Sequence, residues 1–268
     1  MVASRGYDRA PICATLRFMA LFEALVVLHI ITGTTGLVAF WGPIVTRKGA
    51  TRHRQWGHVA CYGFVGAALL AIFMALLSLY GPDERIPSIT DRELFAGLFG
   101  WMMLYLGFLT IGFVDYGLAV VRHARNHTAL RGLRYQSVIA AVVISGAWCG
   151  WFGWKVGHPL MIIVAVIGIV AMAMQQRFIW LSQPPRKMYV GEHFRALIGM
   201  GISAYTAFLS VGLVRAFPEQ VFNPLIWAGP SSIGVGLIIY FTIKGKSPRR
   251  SGPGPAPQQV GDGLVQGE

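Results

Sequence analysis

Charge is scarce in this chain. Only 13% of its 268 residues are Asp, Glu, Lys or Arg, about half the roughly 25% of a soluble domain. Acidic residues are the scarcer kind, 11 against 23 basic ones. Cysteine occurs three times, at Cys13, Cys61 and Cys149. The spacing suits no cysteine metal site, and two of the three fall in apolar runs, where they read as small packing residues. Motifs of soluble catalysis are missing as well. There is no Walker loop, no H-E-x-x-H, no C-x-x-C and no G-x-S-x-G.

What fills the chain instead is apolar surface. Hydrophobic residues make up 54% of it and the mean hydropathy is +0.55. They come in runs of about 20 residues between charged clusters, the length that crosses a bilayer as a helix. The runs are continuous rather than alternating, which favours helices over a barrel, since lipid obliges each span to satisfy its own backbone. The expected fold class is all-α, a polytopic transmembrane helix bundle. About seven spans can be read, at 18–41, 56–80, 94–121, 137–154, 159–175, 195–217 and 224–243. Residues 1–17 form an N-terminal segment, 18–244 the bundle, and 245–268 a tail rich in Pro, Gly and Gln that should be disordered. The apolar run after Arg17 is too long for the core of a signal peptide and lacks a small-residue cleavage site. The last span has no mid-span lysine, so seven helices do not imply a retinal protein.

The net charge of +12 would suggest nucleic acid in a soluble protein. Here the basic residues lie in short loops and report topology, and no nucleic-acid partner is expected. About 16 fall after spans 1, 3 and 5, in the tail or opening span 6, against about 7 elsewhere. That bias places the N-terminus outside and the C-terminus in the cytoplasm, with Arg5, Arg9 and Arg17 opposing it. Small residues recur every four positions in span 4, at Ala141, Ser145 and Cys149 and at Gly146 and Gly150. Such stripes let helices approach closely. Trp148, Trp151 and Trp154 gather at its outer end, where an aromatic belt belongs.

Ionisable groups at membrane depth are costly, so each is a functional candidate. Glu23 lies about two turns into span 1, near the outer face, with His158 at the same level. His29 lies near mid-membrane, at a depth shared by Tyr205 and Thr206. Its plain reading is a packing histidine; the functional readings are haem ligand, proton relay or substrate contact. His53, Arg54, His58, Asp115, His123, His127 and His193 collect near the cytoplasmic face. Asp115 needs a cation, for which Arg54 and Arg122 are the expected partners. His29 and His58 differ in depth by roughly 20 Å less the turn or two His58 lies inside its span, too much for one haem iron. Bis-histidine ligation of a b-type haem then needs either two cytoplasmic-side histidines, such as His58 with His193, or His29 with a partner that no other span supplies at its depth.

Several short strings point to a family. His29 and Gly33, Gly42-Pro43, His53-Arg54, Gly57-His58, then His193 through Gly199, Thr206-Ala207-Phe208 and Trp227-Ala228-Gly229-Pro230 stand in order. Together they resemble an uncharacterised family of bacterial multi-pass membrane proteins, a domain of unknown function, over about residues 20 to 240. The resemblance implies a shared seven-to-eight-span fold, residence in the bacterial cytoplasmic membrane, and His29, His53 and His193 as a set. It implies no activity.

Three function classes compete. One is a membrane redox or proton-handling protein binding haem b or quinone, with His29, His53, His58, His193 and Arg54 at the cofactor. The second is a small-solute transporter whose path runs by Glu23, His29, Asp115, Tyr205 and Thr206. The third is a non-catalytic assembly or scaffold subunit with membrane-protein partners, resting on the Gly-rich spans. A visible spectrum, an uptake assay and the state of the purified protein separate them.

Overall fold

The fold was analysed in a computed structural model, which describes residues 9–80, 91–209 and 224–246, with side chains over 18–80, 91–209, 229–230 and 232–244. The expected disordered tail from 247 onward and the acidic connection at 81–90 lie outside the described residues. Among these residues there are seven long helices and no strand. They are α1 (Arg9–Val45), α2 (Thr51–Tyr80), α3 (Arg92–Arg122), α4 (Leu133–Lys155), α5 (Pro159–Ile179), α6 (Arg186–Ala207) and α7 (Pro224–Lys246). Five of them, α1 to α5, are long and apolar enough to cross a membrane. α6 falls short because its first half carries Arg186, Lys187, Glu192 and Arg195, and the apolar stretch of α7 is the shorter Ser232–Lys244.

Local chemistry sets the boundaries. Gly49 takes φ +78° and lets the chain turn from α1 into α2. Asp91 caps α3, its carboxylate accepting from the N–H of Glu93 at 2.9 Å and of Leu94 at 3.2 Å. Gly157 at φ +67° joins α4 to α5, and Pro159 fills the first turn of α5, where its missing N–H costs nothing. Pro185 precedes Arg186 at the start of α6. α6 therefore begins nine residues before the 195 read from hydropathy, and His193 sits two turns inside the helix rather than opening it. α2 likewise begins at Thr51 instead of 56, with His53 in its first turn.

The packing centres on α3. It touches α2, α4 and α6, while α1 touches α2 and α6, so α1, α2, α3 and α6 close a ring. α4 and α5 form a hairpin on the outer side of α3, and α7 lies against α6. Glycine sets how close the first hairpin comes: a methyl on Gly63 would stand 2.7 Å from the Gly36 nitrogen and 2.9 Å from the Thr32 carbonyl oxygen. Phe40, Phe64, Leu109, Phe113 and Met200 are buried in the core this leaves. Outward faces stay apolar. Ile163, Val166, Ile167, Val170 and Met174 make an exposed stripe of helical spacing on α5. Water does not favour such a stripe; lipid does.

The two ends of the bundle differ. The α1–α2, α3–α4 and α5–α6 connections and the end of α7 lie at one end, carrying Arg47, Lys48, Arg122, Arg125, Arg131, Arg186 and Lys244. This is called the basic end below. At the opposite end Glu93 pairs with Lys155 at 2.9 Å. Trp101 and Trp148 meet edge to face there, ring centres 5.4 Å apart.

Candidate functional site

The site grows from the unsatisfied carbonyls at the end of α1. The last turn of any helix leaves carbonyl oxygens without an intrahelical donor. Here Pro43 O accepts from His53 Nδ1 at 3.1 Å and from Lys48 Nζ at 2.7 Å. Across the ring, His193 Nδ1 donates to Gly117 O of α3 at 2.6 Å. Gly117 permits that approach because it has no side chain, and a methyl there would collide with Leu197. A carbonyl can only accept, so both Nδ1 atoms carry the proton and both Nε2 atoms present a lone pair. No hydrogen bond reaches either Nε2 among the described residues. The two rings lie within electrostatic reach of each other, on α2 and α6, which face each other across the ring of four helices rather than packing side by side.

The other candidates fall elsewhere. His58 is exposed on another face of α2, its ring 6.0 Å from that of Tyr62. Five residues on from His53 it is turned about 140° around the helix. The histidine brought to His193 is thus His53, not the expected His58. Arg54 is exposed beside His53. His29 donates Nδ1–H to Ala67 O at 2.9 Å and so ties α1 to α2. Tyr205 donates to Leu37 O at 2.8 Å and accepts from Trp41 Nε1 at 2.6 Å, tying α1 to α6. Glu23 is exposed and makes no ion pair among the described residues. Thr206 lies next to Tyr205 on α6.

Asp115 finds its cation in Arg134, at the start of α4, rather than in Arg54; Arg122 is near enough to add to the positive field. Arg134 also lies over the Tyr135 ring, whose hydroxyl meets His123 Nε2 at 2.9 Å. One residue was missed altogether. Glu192 is buried, accepts from Tyr116 OH at 2.9 Å and pairs with Arg195 one turn on. The spacing Glu192–Arg195 was visible as a helical pair, but hydropathy began the helix at Arg195. His127 stands edge-on to Phe178 and Tyr189, with ring centres at 5.2 and 5.6 Å.

Among the described residues no three His, Cys, Asp or Glu side chains gather to hold a metal ion by themselves. Two imidazoles with oriented Nδ1–H and free Nε2 are what a planar tetrapyrrole iron, which brings four of its own ligands, requires. The fold and this pair define the class: an all-helical bundle compatible with a membrane protein, with a two-histidine site at its basic end. No protein-family model matches the chain, and comparison with curated proteins and with solved structures finds no similar protein.

Proposed function

We propose that the chain is a seven-span redox protein of the bacterial cytoplasmic membrane, N-terminus outside, that binds a b-type haem between His53 and His193. One observation carries the reading. Both imidazoles are oriented by a backbone carbonyl on a different helix, which is how haem and metal ligands are commonly held. The carbonyls of Pro43 and Gly117 fix the tautomer and the orientation of each ring. His53 and His193, on helices that face each other, would be the residues to hold the iron. Arg54, exposed next to His53, is the cation available to a propionate. Haem, when bound, supplies one-electron chemistry. His53 and His193 would hold the group within the basic end, whose charge would favour a bound dianion.

The test is a visible spectrum of the purified protein in mild detergent, oxidised and then dithionite-reduced, from cells supplied with haem. The expected result is a Soret band and an α-band that sharpens on reduction. His53→Ala and His193→Ala should each abolish it. His58→Ala and His29→Ala should leave it in place. A colourless wild type would sink the reading, and so would a pigment indifferent to His53 and His193.

A further inference from the structure

α1 and α7 both pack against α6, and at the basic end a cation reaches from the first towards the second. Lys48, in the α1–α2 turn, lies 4.5 Å from the centre of the Phe241 ring on α7. Its ammonium donates to Pro43 O at 2.7 Å and to Ile44 O at 2.8 Å, which uses two of its three N–H groups. Lys244 donates to the Tyr240 hydroxyl at 3.2 Å, leaving it two. Both lysines are exposed. No carboxylate among the described residues neutralises them, because Asp115 and Glu192, the acids of this end, are held by Arg134 and Arg195. Packing of the ammonium against Phe241 and the end of α1 costs it part of its hydration and holds Lys48 below the ordinary lysine range, and the neighbouring Lys244 adds a smaller push in the same direction. Beside the lysines, Val45, Ile239, Tyr240 and Ile243 expose apolar surface facing away from the core.

We propose that Lys48 and Lys244 form a headgroup site for an anionic phospholipid. Its phosphate takes the N–H groups the two ammoniums have left, and its acyl chains lie along the exposed apolar residues of α1 and α7. The occupant is a lipid rather than free phosphate because charge and apolar surface adjoin at the end of two helices, where a leaflet presents both together. Inorganic phosphate would meet the same N–H groups and gain nothing from Val45 or Ile243. The site uses neither His53 Nε2 nor His193 Nε2, so it stands whether or not haem binds.

The experiment reconstitutes the full chain in nanodiscs of equal phosphatidylglycerol and phosphatidylcholine, extracts it into mild detergent, and measures the retained lipid by mass spectrometry. Wild type should retain phosphatidylglycerol in preference to phosphatidylcholine. Lys48→Gln/Lys244→Gln should lower that preference about 25-fold, taking about fivefold for each basic residue near an anionic surface. Arg125→Gln/Arg186→Gln removes the same charge elsewhere on the same end and should keep it. Lys48 also donates to the last carbonyls of α1, so Lys244→Gln alone, with an expected loss of about fivefold, serves if the double variant does not fold by circular dichroism and gel filtration. Equal retention of both lipids by the wild type would overturn the proposal, as would equal loss in both double variants. Release of the retained lipid by millimolar inorganic phosphate would make this a phosphate site instead. Loss of a Soret band in place of lipid would assign the lysines to propionates.

Discussion

At the scale of single residues, two glycines and a histidine separate backbone need from incidental choice. Gly63 faces the backbone of α1, and an added methyl would meet main-chain atoms of Gly36 and Thr32 that cannot swing aside. Gly63→Ala should therefore cost about 1–3 kcal/mol, the usual price of overpacking a tight contact, read as a lower thermal midpoint in detergent. Gly57 has nothing within 4 Å of where its methyl would go. Gly57→Ala should leave that midpoint unchanged or raise it, by up to ~1 kcal/mol of stability, since alanine suits a helix better. Both are glycines of α2, and nothing in the sequence distinguishes them; only the facing helix does. His158 gives a pH dependence outside the membrane-spanning stretches. Burial in the α4–α5 turn, where Nδ1 has no hydrogen-bond partner among the described residues, lowers its pKa below 6.5. The unfolded chain then takes up a proton before the folded one does. This contribution is complete above the ordinary histidine value and is lost as the pH falls through the lower, folded one. Thermal midpoints should rise between about pH 5 and pH 7, and His158→Gln should flatten that slope.

At the scale of elements, what could be read from the chain was the existence of helices more than their phase. Each of the seven apolar runs falls at least in part on one of α1 to α7 among the described residues, but only α1 to α5 are long and apolar enough to cross a membrane. His53 and His193 were both visible as helix-borne histidines near one level. Which of His53 and His58 faces α6 depends on a rotation about the α2 axis, and that rotation is fixed by the glycines packed against α1, not by hydropathy. Asp115 shows the same gap: Arg134 reaches it because the α3–α4 connection folds back, a long-range event with no local signal. That connection is itself fastened. Arg131 donates through Nε to Ile179 O and through Nη2 to Leu181 O, each at 3.1 Å, closing the carbonyl end of α5. Arg131→Ala should cost about 1–3 kcal/mol by leaving those acceptors without their donor. Hydrogen exchange should then quicken in the last turn of α5 before it does in α4.

At the scale of the whole molecule, the outward apolar stripes and the sorting of basic residues to one end were written in the composition, while the ring of four helices was not. The resemblance to an uncharacterised membrane family suggested His29, His53 and His193 as a set; each of the three holds its Nδ1 against a carbonyl of another helix, Ala67, Pro43 and Gly117 respectively. One feature of α3 lets its two ends seat separately. Between Ala96 and Met102 its winding loosens to the π form, which accommodates an extra residue in the turn. That slack lets Gly97 face Phe152 and Met161 on one side while Tyr105, further along, reaches Val164 O at 3.2 Å on α5. The stretch works as a splice in a shaft. Deleting one residue from it would restore regular winding and leave both ends of α3 facing nearly as they do, because the loosened turn already carries the surplus residue. A deletion in the regular winding between Met103 and Gly117 has no such slack: it turns one end by about 100° against the other, and either the Asp91 cap leaves its seat or Gly117 swings away from His193. Of two one-residue deletions in the same helix, only the second is thus expected to bleach any pigment the histidines hold, with both histidines intact.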